Sequence, residues 1–316
     1  MAQLTQDFIN HYTELSKTHN FRDHYNKSWA GIDRAAEVPA IRSYLLDPDV
    51  GVSYLNKTVA SKLSGGKFNV KFTSLFCHKK PGVKRTQANQ NNKPGERPGC
   101  ELGDLFVLFL LLDGQDKLHY ASGSIFQAKV EPKLDSLTQQ LLYDEDDSFE
   151  VPSYLENRVG SAGINRKMPS YIEGRAKAFR YLILDPTNPT VKAKYTPWSN
   201  SIGREWSPYM DGLMSGVDGL STVPSVVASN AWDTVVADLL YVGLKVSKTK
   251  GKPPRGNTIA VQVATSLFNH FNNTSNFSHQ ADDSYEGVPT LMVIAHAPDH
   301  NDVPPGVIHD RNLNDS

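Results

Sequence analysis

The most regular stretch of the chain is Leu105 to Leu112, eight apolar residues in succession. A run that is apolar on both faces predicts a strand at the centre of a covered sheet. Upstream, Phe68, Val70 and Phe72 alternate with Lys67, Asn69, Lys71 and Thr73 before Leu75-Phe76, which predicts a strand with one wet face. Asp113-Gly114 with Gln115-Asp116-Lys117 reads as a hairpin turn, with a return strand from about His119 to Val130. Pro132 stops it, and Lys133 to Tyr143 reads as a helix with Leu134, Leu137, Leu141 and Leu142 on one side. Ala178 to Leu184 is a further apolar strand, closed by Asp185-Pro186. Helical spacing also marks Thr5 to Thr18 (Phe8, Ile9, Tyr12, Leu15) and Val52 to Leu63 (Tyr54, Leu55, Val59, Leu63), the second ended by Gly65-Gly66. Asn230 is placed to cap a helix through Val242, Thr290 to His296 is strand-like, and Thr258 to Phe271 fits either state. From Val52 to Asp185 the order is helix, strand, strand, strand, helix, strand.

Three polar stretches interrupt this pattern: Lys79 to Gly99, Ser247 to Gly256 and Pro298 to Ser316. With them the chain divides into an N-terminal helical segment (1–50), a core (51–190), a helical or mixed C-terminal accessory region (191–297) and a tail (298–316). No repeat with a period of 20 to 50 residues is present. With 33 basic against 34 acidic residues the net charge is -1, so any nucleic-acid contact has to come from a local patch. Two cysteines exclude a disulfide scaffold and a Cys-rich zinc module. The longest apolar run is far short of the ~20 residues that span a bilayer, and no secretory signal is visible. The expectation is a cytoplasmic protein with no membrane partner.

Candidate chemistry sits at the mouths of the two central strands. Asp104 leads into the buried strand, and the return strand ends in Gln127-Ala128-Lys129. Gln127 and Lys129 are two apart and share a face. In an antiparallel hairpin the start of one strand lies beside the end of the other, so Asp104 is expected to meet the Gln127–Lys129 pair. Asp104, Gln127 and the carbonyl of Ala128 are hard oxygen donors of the kind that suit Mg²⁺ or Mn²⁺. Lys129 beside them is placed to position a water or to stabilise charge on a phosphate. Glu101 joins only if the chain bends at Gly103. The bland alternative is a strand-initiating turn at Gly103-Asp104 with Lys129 as a snorkelling strand end. Ahead of the site, Lys79, Lys80, Lys84, Arg85, Lys93 and Arg97 stand against one acid, Glu96. They suit phosphate contacts with DNA, or are simply a solvated loop.

Asp at the start of one strand and Gln-x-Lys at the end of the next, set in this element order, resemble the PD-(D/E)XK restriction-endonuclease-like superfamily in its Gln-x-Lys, Mrr-like variant. The resemblance covers about residues 53 to 185. It implies an α/β core with a mixed sheet flanked by helices, and a metal-dependent DNA endonuclease of the kind that serves defence against foreign DNA. It assigns metal binding to Asp104 and Gln127, with Glu101 as a substitute acid, and assistance of the attacking water to Lys129. Gly103 stands where the family has Pro. Two other classes remain: a catalytically inactive nucleic-acid-binding or assembly protein on the same fold, and an unrelated α/β domain. A homodimer or a partner subunit is expected to use the C-terminal region.

Weaker signals complete the reading. Cys77, His78 and Cys100 are too few for a closed zinc site, and a Cys77–Cys100 disulfide requires an oxidising compartment. The acidic run Asp144-Glu145-Asp146-Asp147 reads as a solvated helix exit. Trp198, Trp206 and Trp232 read as core or interface anchors. No phosphate-binding Gly-Lys-Ser/Thr loop and no nucleophile elbow is present.

Overall fold

The computed structural model describes residues 3–77, 81–86, 99–133, 136–155, 163–170, 172, 174–194, 203–223, 231–246, 278–280 and 287–297. In chain order the elements begin with α1 (Gln3–His19), α2 (Phe21–Lys27), α3 (Glu37–Leu46) and α4 (Gly51–Leu55). α4 runs through a π-helical turn at Asn56–Ala60 into α5 (Ser61–Leu63). There follow β1 (Asn69–Phe76), β2 (Gly82–Arg85), β3 (Gly99–Glu101), β4 (Leu105–Leu112), β5 (Leu118–Lys129), α6 (Leu137–Asp144), β6 (Ser148–Glu150) and β7 (Asn165–Lys167). The last are α7 (Arg175–Ala178), β8 (Phe179–Ile183), β9 (Lys192–Lys194), β10 (Gly203–Glu205), α8 (Trp206–Met214), β11 (Leu220–Ser221), α9 (Ala231–Val246), β12 (Ser278–Gln280) and β13 (Thr290–His296).

The fold is α/β, with a mixed sheet flanked by helices. Its strands run β10-β9-β8-β5-β4-β13-β1-β12, with β11 added alongside β5. β4 and β5 form the antiparallel hairpin expected of them, in register from Leu105–Phe126, and β8 lies parallel to β5. A second, smaller sheet has the order β3-β2-β6-β7.

Every residue of β4 is buried, as a doubly apolar strand must be. On one face Leu105, Val107, Phe109 and Leu111 pack with α1 to α5 and α8, where Phe8, Tyr44, Trp206 and Met210 are fully buried. On the other, Phe106, Leu108, Leu110 and Leu112 pack with α6, α9 and the small sheet. Trp206 and Trp232 are core residues, one in each layer; Trp198 lies outside the described residues.

The π-helical turn has a local cause. Buried Asn56 donates to the carbonyls of Val52 (3.1 Å) and Phe72 (2.6 Å) and accepts from the Phe72 N–H at 2.9 Å, tying the helix to β1. A side chain that competes for backbone groups in this way interrupts the regular ladder.

Two features differ from the sequence reading. The helix expected from Lys133 begins at Leu137, where the Ser136 hydroxyl accepts from the Gln139 N–H. More consequentially, β9, β10 and β13 come from the stretch read as an accessory region (191–297), yet all three belong to the central sheet. β13 is parallel to β4 and antiparallel to β1, so it separates two strands that the sequence order suggests as neighbours. Its alternation explains the position: Leu291, Val293 and Ala295 join one layer while Met292 and Ile294 join the other. The stretches 258–271, 247–256 and 298–316 lie outside the described residues. Among those described, no helix is long and apolar enough to cross a membrane.

A chain ended at residue 287 leaves β4 and β1 without the strand between them. We expect it to show no cooperative unfolding transition in urea, whereas full-length protein shows one. A cooperative transition of undiminished midpoint in the shortened chain would show that 51–190 folds without β13.

Candidate active site at the ends of the central hairpin

The chain crosses from the small sheet to the large one between β3 and β4. Gly103 makes the crossing: a Cβ there would lie 2.3 Å from the Ile125 side chain, 3.2 Å from the Phe126 carbonyl and 3.2 Å from the Tyr143 hydroxyl. Only glycine lets the backbone pass so close to β5. Asp104 then donates its N–H to the Phe126 carbonyl at 2.8 Å. Its Oδ2 accepts from the Ala128 N–H at 2.7 Å. The carboxylate therefore sits at the backbone between Gln127 and Lys129, the meeting expected from the hairpin.

Gln127 and Lys129 lie on the α6 face of β5. Gln127 Nε2 donates to the Glu101 carbonyl at 3.0 Å, while its Oε1 is buried with no hydrogen-bond partner among the described residues. Lys129 Nζ donates to Gln139 Oε1 of α6 at 3.0 Å. One turn further along α6, the Tyr143 hydroxyl donates to the Leu102 carbonyl at 2.8 Å and also lies against Gln127. Burial above all pushes the Tyr143 phenol well above its ordinary range, so it remains a donor. Asp104, Gln127 and Lys129 are 2%, 0% and 6% exposed. Gln139 and Tyr143 are the members the sequence reading passed over; their i, i+4 spacing on one helix face is the signal that marks them.

The other expected site residues fall differently. Glu101 enters through its backbone carbonyl, and its side chain is on the exposed rim of the small sheet. At Ala128 the bond seen is from its N–H to Asp104, and on the β8 side it is in register with Leu182. Among the described residues no group of three or more His, Cys, Asp or Glu side chains is placed to hold a metal ion.

Arg85 is a correction. β2 alternates outward and inward, so Lys84 is exposed while Arg85 turns into the core. There Asp146 takes it in a fork, Nε–Oδ2 at 2.5 Å and Nη2–Oδ1 at 2.7 Å, and the guanidinium is shielded from any phosphate. Asp146, read as part of a solvated run, is accordingly fully buried. Lys79, Lys80, Lys93 and Arg97 lie outside the described residues. Cys77 and Cys100 are free, and burial pushes both thiols up to about 12.

Comparison with protein-family models, with curated proteins and with solved structures finds no match to this chain.

Removing one partner of a buried ion pair costs about 3–5 kcal/mol, while replacing both with apolar residues is often nearly neutral. Arg85→Ala and Asp146→Ala should each lower stability by that order in urea denaturation. Arg85→Met/Asp146→Leu should recover most of the loss. If the double variant is no better than the singles, the pair does more than hold the small sheet to the α6 exit.

Asp144, at the end of α6, has its carboxyl pushed up to about 6, chiefly by burial. Its folded-state pKa is thus above its unfolded value, so the folded protein binds the extra proton. Stability should therefore fall as pH rises from about 4 to about 6 and level off beyond. Asp144→Asn is expected to raise Tm at pH 7.5 and to leave it unchanged at pH 3.5. An equal effect at both pH values would assign the gain to something other than ionisation.

Proposed function

We propose that this chain is a Mg²⁺-dependent phosphodiesterase that cleaves nucleic acid, with DNA as its first candidate substrate, on a restriction-endonuclease-like core. The observation that carries the reading is the side-chain oxygen of Gln127. Among the described residues it is an unsatisfied acceptor in a fully buried side chain, beside a carboxylate anchored to the backbone of the next residue. Leaving a buried polar oxygen unpaired costs about 1–3 kcal/mol, so its retention points to a ligand. Asp104 and Gln127 are hard oxygen donors, and such a donor set fits Mg²⁺, with Mn²⁺ as a substitute. When bound, the ion supplies Lewis-acid polarisation of a phosphodiester and a more acidic water.

The chain's own residues do the rest. Asp104 holds its place through two backbone hydrogen bonds to β5. Gln139 aims the Lys129 ammonium, which stabilises negative charge as it builds on the phosphate. The hairpin β4–β5 followed by α6 and by β8 parallel to β5 supports the same reading.

A second reading has its own observation. The bonds of Asp104 to Phe126 and Ala128 are sufficient to close the end of the hairpin, and all three site residues are nearly inaccessible. On that reading the fold binds nucleic acid or assembles with partners without catalysis.

Plasmid digestion with and without Mg²⁺ separates the two. Wild type is expected to cut only with Mg²⁺ or Mn²⁺, and to stop when EDTA is added. Lys129→Ala should slow cutting about 10²–10³-fold with little change in DNA affinity, because it removes a group that acts only on transition-state charge. Gln127→Glu, which restores the commoner acidic motif, should retain metal binding and some cutting. Cutting by Lys129→Ala at the wild-type rate would show the site to be misassigned. A wild type that binds DNA and cuts no substrate with either ion leaves the binding reading in place.

A further inference from the structure

α1 ends at His19, and Asn20 follows with φ 49° and ψ 56°. Asparagine tolerates this left-handed conformation better than most residues, and it turns the chain at once into α2. The turn brings Arg22 to the last turn of α8. There Arg22 Nε and Nη2 donate to Asp211 Oδ2 at 2.9 and 2.7 Å. Tyr12 and Ser16, one turn apart on α1, donate to Asp211 Oδ1 at 2.9 and 3.2 Å. The carboxylate is thus satisfied from both helices, and the guanidinium is fixed in place by it.

These residues line a cavity of about 440 Å³, together with Thr13, Lys17, Asn20 and Ser215. That is the size of a small-molecule site and roomier than a bare phosphate ion needs. Thr13, Ser16 and Lys17 share one face of α1. Among the described residues, no hydrogen bond or ion pair engages the side chains of Thr13, Lys17 and Asn20, or Nη1 of Arg22. Ser215 donates to the Asp211 carbonyl at 2.8 Å and keeps its hydroxyl oxygen as an acceptor. Tyr12 is only 1% exposed, so it offers no open ring face to the cavity.

We propose that this cavity binds a small sugar phosphate, with the phosphate held by Lys17 and Nη1 of Arg22 and the sugar hydroxyls by Thr13, Asn20 and Ser215. Two cations stand against one carboxylate whose acceptors are already filled, so the lining selects an anion. The rest of the lining is hydroxyl and amide, which pairs with a polyol. A nucleotide base would need an aromatic face to stack on, and Tyr12 does not present one. Because Asp211 holds the guanidinium before any ligand arrives, little ordering is left to be done on binding. The cavity lies in the layer of α1 to α5 and α8, across the sheet from Gln127 and Lys129, so the inference does not depend on the nuclease reading.

The test is isothermal titration calorimetry of the full chain at low salt with ribose 5-phosphate and with glucose 6-phosphate. At least one of them should bind, and bind more tightly than inorganic phosphate. Lys17→Glu, which reverses an exposed charge, should weaken that binding by at least roughly tenfold. Lys17→Arg should keep it, which separates loss of charge from loss of fold. Asn20→Gly removes the amide while glycine accepts the left-handed backbone without strain, so it should weaken binding and leave the turn intact. Lys62→Glu, which makes the same charge change on α5 away from the cavity, should leave the affinity at its wild-type value. The proposal is overturned if neither sugar phosphate binds, or if inorganic phosphate binds as tightly as the better of the two. It is equally overturned if Lys17→Glu binds like wild type, or if Lys62→Glu loses as much. Plasmid cutting does not enter any of these outcomes, so the cavity and the nuclease reading stand or fall separately.

Discussion

An eight-residue strand with apolar side chains on both faces can exist in water only if it is covered above, below and along both edges. β4 is such a strand, and the rest of the structure is arranged around it. The helices α1 to α5 and α8 cover one face, α6, α9 and the small sheet cover the other, and β5 and β13 close its edges. Burying one Leu or Phe side chain contributes about 1.5–3 kcal/mol, and β4 buries eight apolar side chains completely. The same constraint decides where chemistry can be. No polar side chain fits along β4, so polarity collects at its ends, with Asp104 before the first residue and Asp113 after the last.

Among the described residues, three arginines that enter the layers are each paired with an aspartate. Arg85 meets Asp146, Arg166 meets Asp238, and Arg180 meets Asp218 while lying 4.9 Å from the centre of the Tyr209 ring. Each pair joins elements that are distant in sequence: β2 to the exit of α6, β7 to α9, β8 to the loop after α8. A buried pair of this kind adds little net stability over an apolar contact. What it does supply is selectivity between alternative packings, because a misplaced layer would leave the charge unmatched.

The local elements were legible because their causes are local. The alternation of β1, the unbroken apolar run of β4, the turn at Asp113-Gly114 and the stripe of α6 each lie within a dozen residues. The meeting of Asp104 with the end of β5 was legible for the same reason, since a hairpin fixes its own register. What the sequence left unread is non-local. Nothing in Thr290–His296 says that it lies between β1 and β4, and nothing near Arg85 says that Asp146 awaits it. α8 is not marked by the sequence pattern; its Pro208 lies in the first turn, where a proline removes no hydrogen bond. Glu101 looked like a ligand because its residue type suits one, but the turn at Gly103 directs its carbonyl, not its carboxylate, to Gln127.

The position of β13 also sets an order of events during synthesis. β4 and β1 leave the ribosome long before the strand that joins them, so both wait with unpaired backbone edges, and β4 waits with eight apolar side chains. Pairing between segments so far apart in sequence is slow, because the loop between them must close first. An exposed apolar strand edge is a template for pairing with another chain. The interval between the emergence of Leu112 and that of Thr290 is therefore the part of synthesis in which β4 is most open to such pairing.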